Sequence, residues 1–363
     1  MKISILGTRG IPAKYGGFET FAEEISALLA EKGYDVTVQC DSESYSHDYY
    51  RGARLYFSSV SKSDHPLRYY FEGIRWATKN SDIILVASAA GSFFYFLNFF
   101  RKKLIITNPD GLEHHRRKWS PLKRLYLKIS EALAVKLSSY IIADSFAIEK
   151  YLNDTYKSSV QKIRVIEYGA YLNRIADFSV LKKYGLTQNE YYLVVCRLER
   201  ENNLEMICEA FQKALTSFTL VIVGNIENNS EYINRLVNQF SSAKIRFLDG
   251  IYDKTELCTL RYSCKAYIHG HSVGGTNPSL LEAMASRNVI LAHDNTFNRE
   301  VTSGNQLYFS TIGQCTKMIN EIELMTNEEI EKYKEQSFNM ISTRYTWDRI
   351  LGKYLELFSE IKS

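Results

Sequence analysis

The feature that most limits what this chain can fold into is a repeated alternation of short β-branched runs with longer stretches of helical spacing. Candidate strands are Ile3–Leu6, Asp35–Gln39, Ile83–Val86, Leu104–Ile106, Tyr140–Ala143 and Lys162–Ile166. After a polar interval around Tyr171–Gln188, a second series follows at Tyr192–Cys196, Thr219–Val223, Ile245–Leu248, Ala266–His269 and Val289–Ala292. Strands alternating with helices build parallel sheets covered on both faces. The pattern predicts an α/β chain of two Rossmann-like domains, and 363 residues are enough for two such cores. Ligands of open α/β sheets bind beyond the carboxyl ends of the strands, so the loops after strands are where chemistry is expected.

Composition narrows the classes. With 45% hydrophobic and 24% charged residues the chain is globular rather than disordered. Its net charge of +4 comes with no stacking platform or recognition motif, so no nucleic-acid partner is expected. The six cysteines are scattered, without a CxxC pair, and read as reduced thiols of a cytoplasmic protein. A strand pattern follows Met1 directly, so no signal peptide is expected. The apolar run Ser92–Phe100 is too short to span a bilayer and reads as a buried crossover helix. The tail places Trp347, Ile350, Leu351, Tyr354, Leu355 and Phe358 at helical spacing, an amphipathic helix that must dock.

Three loops carry candidate chemistry. In "GTRGIPAKYGGFETF" glycines 7, 10, 16 and 17 separate a strand from a helix. Glycine lets backbone N–H groups approach a phosphate at a helix start, or merely permits a turn. Arg197 follows a buried strand, so its guanidinium either forks onto a diphosphate or pairs with Glu199 or Glu201. In "YIHGHSVGGTNPSLLEAMAS" a strand ends at His269 and a helix begins near Asn277–Pro278, with Gly274, Gly275 and Thr276 before it. Pro278 suits the first helical position, and Thr276 or Asn277 can cap. Glu282, one turn in, is placed to accept hydrogen bonds from ribose hydroxyls.

On these motifs the whole chain resembles glycosyltransferase family 4, the retaining enzymes of the two-domain GT-B class. "GTRGIPAKYGGFET", "NPDGLEHHRRKW", "ERENNLE" and "HGHSVGGTNPSLLEA" resemble its bacterial rhamnosyltransferase branch, which builds capsule, O-antigen and rhamnan. The resemblance implies an acceptor-binding domain over 1–172 and a nucleotide-sugar domain over 173–342, facing it across a cleft. A helix over 343–363 would return to the first domain. It implies donor contacts from Gly16, Gly17, Arg197, Asn202, Tyr252, Gly274, Gly275, Thr276, Asn277 and Glu282. Arg197 would stabilise the leaving diphosphate, and Asp110 or Glu113 would act on the acceptor hydroxyl. No cofactor or essential metal is expected, since no DxD-type carboxylate pair is present.

The chain departs from the broad family at Asn202, where a lysine is usual, and at Gly274, where a second glutamate is usual. A third departure is the absence of a histidine in "NPDGLE", which agrees with a 6-deoxy sugar donor. The resemblance therefore points to dTDP-L-rhamnose as donor and a polyprenyl-diphosphate-linked saccharide as acceptor. UDP-glucose transfer and a GT-B sugar-nucleotide epimerase are the alternatives. Arg116, Arg117, Lys118, Trp119, Lys123 and Arg124 form a basic, aromatic-flanked stretch. It reads as a contact with an anionic membrane surface and acceptor lipid, on the inner face of the cell membrane, or as a solvated helix face.

Overall fold

A computed structural model describes residues 1–14, 16–41, 47–109, 112–115, 119–172, 177–227 and 230–360. By its contacts the chain divides into two units. Unit 1 holds Met1–Gly169, Gly274–Thr276 and Trp347–Ser363, and unit 2 holds Ala170–Val273 and Asn277–Thr346.

Unit 1 is built on a sheet of β1 (Lys2–Leu6), β2 (Asp35–Cys40), β3 (Tyr49–Tyr50), β4 (Ala53–Phe57), β5 (Ile83–Ala87), β6 (Leu104–Asn108), β7 (Tyr140–Ala143) and β8 (Ile163–Val165). The order is β3-β4-β2-β1-β5-β6-β7-β8, and all pairs are parallel except β3–β4. Every residue of β5 is buried, as expected for a strand covered by helices on both faces. The helix Trp347–Glu360 completes this unit, packing Tyr354 against Phe21 at 5.9 Å between ring centroids.

Unit 2 is built on β9 (Tyr191–Val195), β10 (Thr219–Val223), β11 (Ile245–Leu248), β12 (Ala266–His269), β13 (Ile290–His293) and β14 (Leu307–Phe309). Its order β11-β10-β9-β12-β13-β14 is parallel throughout. One core runs through this unit, from Tyr192, Val194 and Ile222 on the sheet to Phe211, Leu236 and Ile319 on covering helices. Strand order reverses between β1 and β5 in one sheet and between β9 and β12 in the other. Such switch points open a crevice at the carboxyl ends of the strands.

One expectation is overturned here. The run Ser92–Phe100 is not a buried α-helix but belongs largely to a 3₁₀ helix over Ala89–Asn98. Its three residues per turn stack side chains at every third position. Ser92 and Tyr95 therefore fall on the inner ridge, with Tyr95 Oη bonded to Thr107 Oγ1 at 2.7 Å. Phe93, Phe96 and Phe99 fall on the outer one and are exposed, as is Phe100.

Candidate nucleotide-sugar site

In unit 2, three loops at the carboxyl edge of the sheet are tied together by asparagines. Asn202 is buried, and its Nδ2 donates to the Arg197 carbonyl at 2.7 Å. Its Oδ1 lies 3.0 Å from His271 Nδ1, which therefore carries the shared proton. Asn203 Nδ2 donates to the Gly270 carbonyl at 2.8 Å, and Ser272 donates through N and Oγ to the Glu201 carbonyl. Beyond β13, Asn295 and Asn298, at the cap and in the first turn of the helix Thr296–Val301, each donate to the His271 carbonyl at 2.9 Å. Asn202 thus acts as a strut that sets the loop bearing Arg197. The Arg197 guanidinium is half-exposed, with Nη1 3.6 Å from Glu199 Oε1. Burial pushes the neighbouring Cys196 thiol up to about 12, so it stays protonated at neutral pH and is no nucleophile.

The helix Pro278–Ala285 begins beside this loop. Asn277 caps it, and Oδ1 accepts from Ser279 N at 2.9 Å. Ser279 Oγ in turn donates to the Val195 carbonyl at 2.8 Å and touches Tyr267 Oη, which fixes the helix start at the end of β9. The first-turn amides of this helix are taken up within the chain. Ser279 N is spent on the Asn277 side chain, while Leu280 N and Leu281 N are spent on the Asn277 carbonyl.

Glu282 has a partner that sequence reasoning missed. Arg261, on the helix Lys254–Ser263, places Nη2 2.5 Å from Glu282 Oε2. The arginine side chain is 6% exposed and the glutamate 38%, so a buried cation holds a carboxylate that reaches solvent. No motif links residues 261 and 282. The only sequence signal is an arginine on the inward side of a helix that precedes a buried strand. Tyr252 is exposed and lies just before Asp253, which caps the Arg261 helix through its side chain. His269, at the end of β12, is held far below its usual range at about 3 by burial first and His293 second. It is a neutral ring at any physiological pH.

In unit 1 the glycine loop proves to be braced from inside. Gly7 has φ +87, and a Cβ there would lie 2.2 Å from the Ala87 carbonyl oxygen. This glycine serves close approach of β1 to β5. Arg9 N donates to Glu19 at 2.9 Å and Ala13 N to Glu23 at 2.6 Å, so two loop amides face acids of the following helix. Gly16 caps that helix in extended backbone, and Gly17 is its first residue. Lys62, also missed in the sequence, is half-buried and donates from Nζ to the Gly7 carbonyl. Burial lowers its pKa, but Tyr70, Glu19 and Glu113 outweigh that and raise it. Glu19 and Glu113 thus both lie within electrostatic reach of Lys62.

Glu113 begins a 3₁₀ turn over Glu113–His115. The turn is anchored by His114 Nδ1, 3.6 Å from Glu131 Oε2, while Tyr151 and Tyr156 donate to Glu131 Oε1. Asp110, Arg116, Arg117 and Lys118 lie outside the described residues. Trp119 lies under Lys123, whose Nζ is 3.4 Å from the ring centroid, and Arg124 is half-buried one residue on. Gly274, Gly275 and Thr276 group with unit 1, where Thr276 Oγ1 donates to the Asp144 carbonyl. Gly274 has φ +116, a conformation that side chains rarely adopt. A glutamate at this position would be strained.

Comparison with known proteins agrees with this architecture. Residues 1–171 match a domain of unknown function (DUF1972), and residues 180–339 match Glycosyl transferases group 1. A probable sucrose-phosphate synthase of Thermosipho melanesiensis is 25% identical over 261 residues. The match spans 65% of this chain but only 58% of that relative. The sucrose-phosphate synthase structure of Thermosynechococcus elongatus superposes with a TM-score of 0.81 at 14% identity, covering 99% of this chain and 98% of that one. Anabaena HepE, solved in complex with UDP-glucose, gives 0.80 at 14% identity, covering 99% and 100%. The chain thus has the GT-B fold, and its residues 180–339 match the Glycosyl transferases group 1 family.

Proposed function

We propose that the protein is a retaining glycosyltransferase whose unit 2 binds a nucleoside diphosphate-sugar. The observation that carries this reading is the Arg261–Glu282 pair one turn into the Pro278–Ala285 helix, whose start is tied to the end of β9 just before Arg197, in a stretch that matches group 1. Glu282 Oε2 is taken by the guanidinium, and Oε1 accepts from the ribose hydroxyls. Arg197, set by Asn202, neutralises charge that builds on the diphosphate as the glycosidic bond breaks. The departing phosphate accepts the acceptor proton, and Glu113 or Asp110 orients the acceptor hydroxyl. Cys196 stays protonated and His269 stays neutral and buried, which supports a route without a protein nucleophile. The reading invokes no metal and no cofactor.

More narrowly, the donor is dTDP-L-rhamnose and the acceptor a polyprenyl-diphosphate-linked saccharide. The positive φ of Gly274, which disfavours any side chain, supports a sugar pocket arranged without the second carboxylate. The test is a donor panel on polyprenyl-diphosphate-linked GlcNAc and glucose, with product identified by mass. Transfer from dTDP-L-rhamnose is expected. Transfer from UDP-glucose alone would remove rhamnose and keep the transferase. HepE was solved with UDP-glucose, so that arm is essential. A changed free sugar nucleotide without acceptor would mark an epimerase and end the reading.

A further inference from the structure

We infer that unit 1 carries a bilayer-docking surface formed by the Ala89–Asn98 3₁₀ helix, the residues just after it, and the helix Pro121–Leu137. Its partner is an anionic lipid membrane. The apolar part comes from two elements locked together. Ser92 Oγ donates to the Ser130 carbonyl at 2.7 Å, and Tyr126 Oη donates to the Ala90 carbonyl at 2.5 Å. Phe93 stacks on Tyr126 with ring centroids 5.3 Å apart.

From this joint the surface extends both ways. Phe96, Phe99 and Phe100 are 62%, 76% and 90% exposed on one side. On the other, Leu122, Leu125 and Ile129 are 79%, 55% and 44% exposed. These last three share one helical face, opposite the face that buries Leu127, Ala134 and Val135. Isolated exposed apolar side chains need no explanation, but a contiguous set on two fixed elements marks an interaction site.

Charge identifies the occupant. Residues 88–108 contain no acid and carry Arg101, Lys102 and Lys103; residues 119–130 contain none and carry Lys123, Arg124 and Lys128. Arg101, Lys102, Lys123 and Lys128 are exposed. Two copies docked face to face would bring these cations together, whereas an anionic leaflet would attract them. Paired aromatic and aliphatic side chains with flanking cations suit insertion at the headgroup boundary. No helix among the described residues is long and apolar enough to cross a membrane, so the contact is with the surface. This inference stands apart from the donor reading, because vesicle binding requires no sugar nucleotide.

The test is flotation of the full-length protein with vesicles of phosphatidylglycerol and phosphatidylcholine, and with phosphatidylcholine alone. Three proteins are compared: wild type, Phe96→Ser/Phe99→Ser/Phe100→Ser, and Lys102→Glu/Lys128→Glu. All substituted positions are exposed, and circular dichroism melts check that the fold is kept. Wild type is expected to float with the anionic vesicles, less so in high salt. Each variant should lose about tenfold or more in partitioning. Binding that survives the phenylalanine changes would overturn the inference. So would a wild-type dimer, seen by light scattering, that the phenylalanine variant dissolves without any vesicle binding, since the patch would then seat a second copy.

Discussion

At the scale of single residues, the proposed function gives Arg261 and Arg197 separable duties. Arg261 is buried and reaches the donor only through Glu282 on that reading, which makes it a positioning residue. Arg261→Met should raise the KM for the sugar nucleotide about tenfold, as one charge-assisted contact is loosened, with a smaller change in kcat. Arg197→Ala should lower kcat by about 10²–10³, the loss of a donor to the leaving group. Steady-state kinetics with varied donor separates the two patterns, and equal effects on both parameters would merge the roles. Glu282 was legible because it follows a strand, a small-residue loop and a helix cap within a short span. Arg261 was not, since its closeness to Glu282 depends on how two helices pack beside β12. Lys62 was invisible for the same reason: only the fold brings it under the Gly7 loop.

His269 adds a pH dependence of stability. Its folded pKa of about 3 lies below the unfolded value near 6.5, because burial opposes the charged ring. Between those limits the unfolded chain binds the extra proton, so stability is present above about pH 6.5 and is lost as pH falls toward 3. The slope is about 1.4 kcal/mol per pH unit at most. Urea titrations at pH 7 and pH 5 should show this loss in wild type and a smaller one in His269→Leu.

At the scale of elements, periodicity decided what could be read. Long alternation of strands and helices survives local noise, so the buried parallel strands were plain. The β3–β4 pair and β14 were not, since they are short and β4 alternates buried Ala53 and Leu55 with exposed Arg54. The phenylalanine run misled because its composition suits a core, whereas its three-residue turn sends one ridge to solvent. The loop at Gly274 makes an element-scale prediction. Gly274→Glu restores the residue usual in the broader family, yet a side chain at φ +116 should cost about 1–3 kcal/mol. A lower melting temperature without gain in donor affinity is expected, and a tighter-binding variant of unchanged stability would contradict it. The helix Trp347–Glu360 is equally testable. Trp347 is 3% exposed and packs over Gly169, so Trp347→Ala should cost about 3–5 kcal/mol in a denaturant titration.

At the scale of the whole molecule, two parallel sheets provide two switch points, and the candidate residues gather by unit around them. Unit 2 supplies Arg197, Glu282 and their supports, and unit 1 supplies the braced glycine loop, Glu113 and the aromatic-basic surface. The most direct measurement is the anomeric configuration of the product, read by NMR after reaction of dTDP-L-rhamnose with polyprenyl-diphosphate-linked GlcNAc, with Arg197→Ala run in parallel. A glycoside of the same configuration as the donor is expected, released with nucleoside diphosphate and formed about 10²–10³ times more slowly by the variant. An inverted product, or a variant as fast as wild type, would contradict it.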